Sequence, residues 1–393
     1  MENKLPVVCF GFTTFKGDYA KSTLQLINRL AKDRLVLYID YQYTLKDFLF
    51  GLIGKTKVDY QRLINIKPRL RKETTDQNTS IYVLSLPPVM PINWLKHDDF
   101  YKIGLRVNSA IISNAIKGAL KKLQLKQYTL INAFNPAYGL YCTKIFKLQQ
   151  SIYYCYDEIS ASNWAKNHAA KIEADFMKKV DMVVVTSKAL LQAKSTKHTN
   201  VHLVRNGVDF NFFNSATQRQ SSHKNNDSIG YIGSVDDRLD YELIEYLISS
   251  RPDNQFIFIG RITDASLISK IKTYPNVLFT GAVKYKELPK ELNRLKVCLI
   301  PFLKNAFTAK IYPLKINEYL AMGKAVVKTD FADLPEFDHL TYTGFDKSSF
   351  DQSIEKALSE DNATLYEKRT ALAKNNSWQN RVNELNRLID KLY

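Results

Sequence analysis

A chain of 393 residues, 45% of them apolar, is too long for one hydrophobic core and points to two domains of ordinary size. No run approaches the about 18 consecutive apolar residues of a spanning helix, and MENKLPVVCFGF, with Glu2 and a short apolar run, reads as a first strand rather than a signal peptide. The formal net charge of +17 calls for an anionic partner: a nucleic acid, an anionic bilayer or a phosphorylated ligand.

The first half alternates strand and helix. PVVCFGF is an apolar strand, and the glycine-bounded loop GFTTFKGD (Gly11 to Asp18) follows it. This loop has neither the G-K-[ST] of a P-loop nor a G-x-G-x-x-G. Leu24, Ile27, Leu30 and Ala31 recur at helical spacing, with Asp18 as the expected N-cap, and RLVLYID is the next strand. The greasy segment LKDFLFGLIG (Leu45 to Gly54) then runs into Gly54 to Lys72, which holds seven basic residues against one acid. Greasy residues followed by lysines and arginines suit a peripheral hold on an anionic bilayer, or equally a buried helix and a solvated basic loop. SIYVLSL, a helix over RVNSAIISNAIKGALKKLQL, YTLINAF, a helix from about Tyr138, QSIYYCYDE, a helix through AAKIEADFMKKV and DMVVVTS complete a parallel sheet covered on both faces.

The pattern restarts after VRNGVDFNFF and the polar joint TQRQSSHKNND. SIGYIGSV, QFIFIGR, NVLFTGAV, VCLIPF and AVVKT are strands, with helices over RLDYELIEYLISS, KYKELPKELNRLK and PLKINEYLAMG. Two Rossmann-like halves follow, with ligands expected at the carboxyl ends of the strands.

In KIYPLKINEYLAMGKAVVKTD, Pro313 suits the first helical position and Gly323 the C-terminal cap. The helix start near Leu314 is then a site for a phosphate group, with Lys310 and Lys315 adding charge and Tyr312 able to stack or donate its hydroxyl. Glu318 lies on the same face as Lys315, where a carboxylate can accept two hydroxyls; the plainer alternative is an exposed ion pair. Gly233 and Ser234 end a strand where backbone can approach a ligand. Among Asp236, Asp237 and Asp240, either of the first two is expected to cap the next helix, and a metal cluster is the lesser reading. Asp157 and Glu158 end another strand, as candidate base or hydroxyl ligands or as a helix N-cap. Asn132 and Asn135 sit at a strand end or in an Asn-Pro turn. Cys9, Cys142, Cys155 and Cys298 show no C-x-x-C spacing and read as buried thiols in a cytoplasmic protein. The six histidines include His198 and His202, four apart but in a strand-like stretch, so no metal is expected.

On VRNGVDFNFF, IGYIGSVDDRLDYELIEYLISS, NVLFTGAVKYKELPKELNRLKVCLIPF, PLKINEYLAMGKAVVKTD and the terminal NNSWQNRVNELNRLIDKLY, the chain resembles GT-B glycosyltransferases of the family 4 type, in particular the teichuronic-acid and exopolysaccharide group. The resemblance implies an α/β GT-B fold of two Rossmann-like αβα domains facing a central cleft. Its expected parts are an acceptor domain over 1–205, a donor domain over 206–375 and a terminal helix over 376–393 that crosses back. It implies sugar transfer from a nucleotide diphosphate sugar, a UDP- or GDP-sugar, to a glycan or lipid-linked acceptor, with no cofactor and no bound metal. Glu318 would hold the ribose. Gly233, Ser234, Arg238, Arg261, Thr308, Lys310, Tyr312, Pro313, Leu314 and Lys315 would surround the donor. Lys310 stands where the family's fuller motif has a second carboxylate, and would neutralise the leaving diphosphate. Gly11, Phe12, Lys16, Gly17 and Asn135 would face the acceptor, and Asp157 or Glu158 would supply any base. The location implied is the cytoplasm, peripheral on the inner face of the membrane. Two other readings stand beside this one. A non-hydrolysing sugar-nucleotide epimerase would place acidic and histidine groups around the nucleotide, and a non-catalytic binding protein would suit the charge and the 23 tyrosines. No nucleic-acid-binding signature is present.

Overall fold

The strands are short runs of apolar residues, most of them buried along their whole length, as parallel strands covered on both faces must be. In a computed structural model that describes residues 4–17, 21–55, 58–75, 77–142, 150–159, 168–217, 227–360 and 362–392, they form two sheets. By contacts the chain divides into Met1–Arg205 with Val382–Tyr393, and Asn206–Arg381.

The first unit begins β1 (Val7–Phe10), α1 (Ser22–Leu30), β2 (Val36–Ile39), α2 (Leu45–Leu52), α3 (Tyr60–Leu63), β3 (Leu70–Thr74) and β4 (Ser80–Leu84). It continues with α4 (Asp98–Lys122), β5 (Thr129–Ala133), α5 (Pro136–Tyr141), β6 (Gln150–Cys155), β7 (Met182–Val185) and β8 (Val201–Leu203). The sheet order is β3-β4-β2-β1-β5-β6-β7-β8, with β1 at the reversal between β2 and β5. Every pairing is parallel except that of β3 with β4. Such a reversal leaves a crevice at the carboxyl ends of the central strands.

In the second unit β9 (Ile229–Ile232), β10 (Phe256–Ile259), β11 (Val277–Gly281), β12 (Val297–Ile300), β13 (Ala325–Thr329) and β14 (Tyr342–Gly344) are ordered β11-β10-β9-β12-β13-β14 and parallel throughout. The helix Trp378–Lys391 starts in this unit, and from Val382 onward it groups with the first. There Asp390 pairs with Arg34 at 3.1 Å and Asn386 donates to Asp33 at 3.3 Å.

Several local expectations change. α1 starts at Ser22 with Lys21 as its N-cap and no side-chain cap; Asp18 lies outside the described residues. α4 begins at Asp98, not Arg106. Most of the polar joint, 218–226, lies outside the described residues, within the second unit rather than at the division.

The basic stretch Gly54–Lys72 is not simply a solvated loop. Its end enters β3, where Arg71 donates to Glu73 and Ser85, each at 2.7 Å, and reaches Asp40 at 3.5 Å. Arg69 donates to the Leu63 carbonyl at 2.8 Å. These two arginines hold the fold, while Lys55, Lys67 and Lys72 stay exposed. The greasy segment before them is a helix, opened by a capping box of Thr44 and Asp47, in which no residue is buried.

Candidate functional site

In the second unit the helix Leu314–Ala321 places its second residue, Lys315, against Tyr231 of β9 and Phe302 just after β12. Pro313 is its N-cap and not its first helical residue, and no side chain caps the start. A Schellman ending closes the other terminus: Lys324 N–H donates to the Tyr319 carbonyl (3.1 Å) and Gly323, at φ +68°, to that of Leu320 (2.9 Å). Tyr319 locks the helix to the sheet by accepting the Ile232 N–H at 2.8 Å. Asn206 donates to the Tyr312 carbonyl at 3.0 Å, which ties the VRNGVD segment to the loop before the helix.

Lys315 occupies a box of aromatic faces. Its Nζ donates to the Tyr231 hydroxyl at 2.9 Å and lies 4.5 and 4.8 Å from the ring centres of Tyr231 and Phe302. Burial, and secondarily Arg238, lower its pKa to about 7, against the pull of Asp236 and Glu318. Burial raises Glu318 to about 7 as well, with Lys315 opposing. Among the described residues no hydrogen-bond partner holds the Glu318 carboxylate. Gly233 adjoins this ammonium: a Cβ there would lie 2.7 Å from the Tyr231 hydroxyl and 2.9 Å from Lys315 Nζ, with φ at +145°. Gly260, at φ +148°, packs so closely on Gly233 that a Cβ would lie 2.1 Å from its carbonyl oxygen. Close backbone at Gly233, an uncapped helix start, a cation and a carboxylate one turn on thus stand together, a set of groups of the kind that binds phosphate.

Other predicted residues are placed differently. Tyr312 is buried, its ring 5.7 Å from Phe337, and so belongs to the core rather than to a stacking platform. Thr308 is fully buried and spends its hydroxyl inside its own loop, on the Leu303 carbonyl and the Asn305 N–H. Asp236 grips Arg238 through two bonds of 2.8 and 2.6 Å, and Asp240, not Asp236 or Asp237, caps the helix Tyr241–Ser250. Arg261 is exposed beyond β10; Lys310 is partly buried at the end of a short 3-10 turn, and Leu314 opens the helix. Tyr231 and Phe302 were missed; the signal was present as aromatic residues just before Gly233 and just after β12.

In the first unit Asp157 and Glu158 follow β6 and separate in role. Glu158 is buried, facing Lys194 at 3.5 Å, and Lys194 also pairs with buried Glu173 at 2.7 Å. Asp157 is partly exposed and accepts the Glu158 N–H at 2.9 Å. Asn132 and Asn135 close a turn after β5, with bonds of 2.9 Å in both directions, around Phe134 at φ +59°. Asn135 also donates to Gln42 at 3.0 Å. The loop after β1 faces two cavities. Thr14, Lys16 and Gly17 line one of about 500 Å³ with Asp40 and Arg71, while Phe12 and Asn135 line another of about 580 Å³ of mixed aromatic, aliphatic and polar residues. Gly11 lies under Tyr38, whose hydroxyl would be 2.1 Å from a Cβ there. The four cysteines are buried and free, and among the described residues no three His, Cys, Asp or Glu gather as a metal group.

Residues 226–360 match the family model Glycosyl transferases group 1. Over 260 residues the chain is 25% identical to the putative teichuronic acid biosynthesis glycosyltransferase TuaH of Bacillus subtilis (strain 168), covering 60% of this chain and 66% of that one. The aligned part spans just under two thirds of that relative. Sucrose-phosphate synthase from Thermosynechococcus elongatus has a similar structure, with TM-score 0.71, 14% identity and 99% of both chains covered. A trehalose-6-phosphate structure from E. coli bound with UDP-2-fluoro glucose gives TM-score 0.68 at 10% identity, with 98% of both covered. At such identities the structural likeness establishes the fold.

Proposed function

We propose that this chain, a GT-B glycosyltransferase carrying the group 1 domain in its second unit, transfers a sugar from a UDP- or GDP-sugar to a glycan or lipid-linked acceptor of cell-surface polysaccharide. The observation that carries this reading is the Glu318 carboxylate: crowded by protein, without a hydrogen-bond partner among the described residues, and one turn from Lys315 at an uncapped helix start. It suits the two ribose hydroxyls, while Lys315, Lys310 and the helix amides take the diphosphate. The UDP-sugar analogue held by a neighbour of the same fold and the pathway named for the Bacillus relative support donor and acceptor class.

The transfer runs with retention. The bond from C1 to the diphosphate oxygen breaks with its electron pair leaving on the phosphate. The acceptor oxygen bonds to C1 from the same face, and its proton passes to the departing phosphate oxygen. Such a route asks for no protein nucleophile, and positive groups at the diphosphate stabilise the developing charge. Asp157, the more open of the two strand-end carboxylates, orients the acceptor hydroxyl. The enzyme works from the cytoplasmic side, on the membrane surface.

Incubation with a panel of nucleotide sugars tests the reaction: free nucleoside diphosphate should appear with one donor and an acceptor extract. Release with none would refute the reading; an epimerised donor would favour the epimerase. An inverted anomeric centre in the product by NMR would refute retention and make Asp157 the base.

A further inference from the structure

The two rings around the Lys315 ammonium are themselves fixed. Tyr231 and Phe302 are 0% and 1% exposed, and Phe302 meets Phe331 edge-on with ring centres 5.0 Å apart. A lysine stem held in such a box gives up rotamer freedom that a surface lysine keeps. The Tyr231 hydroxyl is oriented as well. It donates to the Ser234 carbonyl at 3.2 Å, which leaves its oxygen to accept from Lys315 at 2.9 Å. One phenol thus ties the amine to the turn that follows β9. Gly233, in that turn, stands beside Nζ with no side chain between them.

Charge is crowded at the same place. Arg238 lies 5.6 Å from the centre of the Phe302 ring, on which Lys315 also rests, so two cations share one ring. Against them stand Asp236, which grips Arg238, and Glu318 on the helix. Burial and Arg238 oppose the charge on Lys315, and the aromatic faces and the phenol oxygen sustain it. Burial also raises the Tyr231 pKa, so the phenol keeps its proton through the neutral range.

We infer that Tyr231 and Phe302 are positioning residues for the donor, holding Lys315 as a cation beside Gly233, where the diphosphate is to be bound. This rests on the reading of Lys315 as a diphosphate ligand and adds two residues that act through it.

NMR of the lysine Cε carbons in the full chain gives the titration midpoint of Lys315, assigned by the signal that Lys315→Met removes. Taking away an acceptor of the ammonium favours the neutral amine. Tyr231→Phe should therefore lower the midpoint by about one pH unit, and Phe302→Leu should move it in the same direction. Calorimetry with UDP and GDP should follow. The alkaline limb of binding should move down by the same interval in Tyr231→Phe, so that at about pH 8 the variant binds about tenfold more weakly, while the acid limb stays in place. In a Lys315→Met background Tyr231→Phe should cost less than about twofold, since the residue through which it acts is gone. An unchanged midpoint in both variants would overturn the inference, and so would an equal loss of binding with and without Lys315. A lower melting temperature with midpoint and limb unmoved would make the two rings structural only, and refute it too. Binding of neither nucleotide, with the midpoint still moved, would refute the donor assignment and leave the hold on Lys315 standing.

Discussion

Replacing Glu318 by glutamine keeps the shape of the side chain and removes its charge. Hydrogen bonds to a charged group contribute about 1.5–3 kcal/mol, and the amide retains one acceptor oxygen, so donor affinity should fall by about 1–3 kcal/mol, roughly 5- to 150-fold. The pH dependence sharpens the test. In the free protein Glu318 and Lys315 are both displaced toward about 7, from opposite sides. Wild-type affinity should therefore peak near that pH, losing the ribose acceptor on the acid side and the diphosphate cation on the alkaline side. Glu318→Gln should erase the acid limb and leave the alkaline one. Stability moves in a definite sense as well. A carboxyl whose native pKa is raised stabilises fully below its unfolded value of 4.5 and loses that contribution as pH rises through about 7. The variant, freed of this loss, should melt higher than wild type above neutrality. Isothermal calorimetry with the productive donor across that range is the assay. Unchanged affinity, or a variant that keeps the acid limb, would refute the assignment of Glu318 to the ribose.

Gly260→Ala should lower stability by about 1–3 kcal/mol, since it combines strain at φ +148° with a Cβ 2.1 Å from the Gly233 carbonyl; a melting temperature equal to wild type would contradict that packing. Activity should survive excess EDTA, because lysines and helix amides are assigned the diphosphate; loss restored by manganese or magnesium would move attention to Asp236. Sedimentation with anionic liposomes should fall with salt and with charge reversal of Lys46, Lys55, Lys67 and Lys72, each worth about 1 kcal/mol near the surface. Arg71→Glu should act differently, lowering the melting temperature, because Arg71 serves Asp40, Glu73 and Ser85 rather than a bilayer.

Short apolar runs bounded by polar turns determined most of the strands by themselves, though not β3 or the short, partly buried β14, because burial on both faces leaves a purely local mark. The same holds for the helix at Leu314–Ala321: Pro313 before it, Gly323 after it, and Lys315 and Glu318 one turn apart are properties of consecutive residues. β3 escaped notice because a half-exposed strand of mixed charges, LRKET, carries no apolar period, and its antiparallel partner β4 alone defines it. Tertiary structure decided which polar groups remain available. Glu158 reads as an open carboxylate until Lys194, 36 residues on, meets it in the interior. Tyr312 reads as a ligand platform until Phe337 closes over it. Lys315 reads as a surface lysine until Tyr231 and Phe302, from β9 and the end of β12, enclose its ammonium. Charge, burial and pKa depend on partners that are distant along the chain. The sequence names the groups, and packing alone decides which are consumed by the fold and which are left for a ligand.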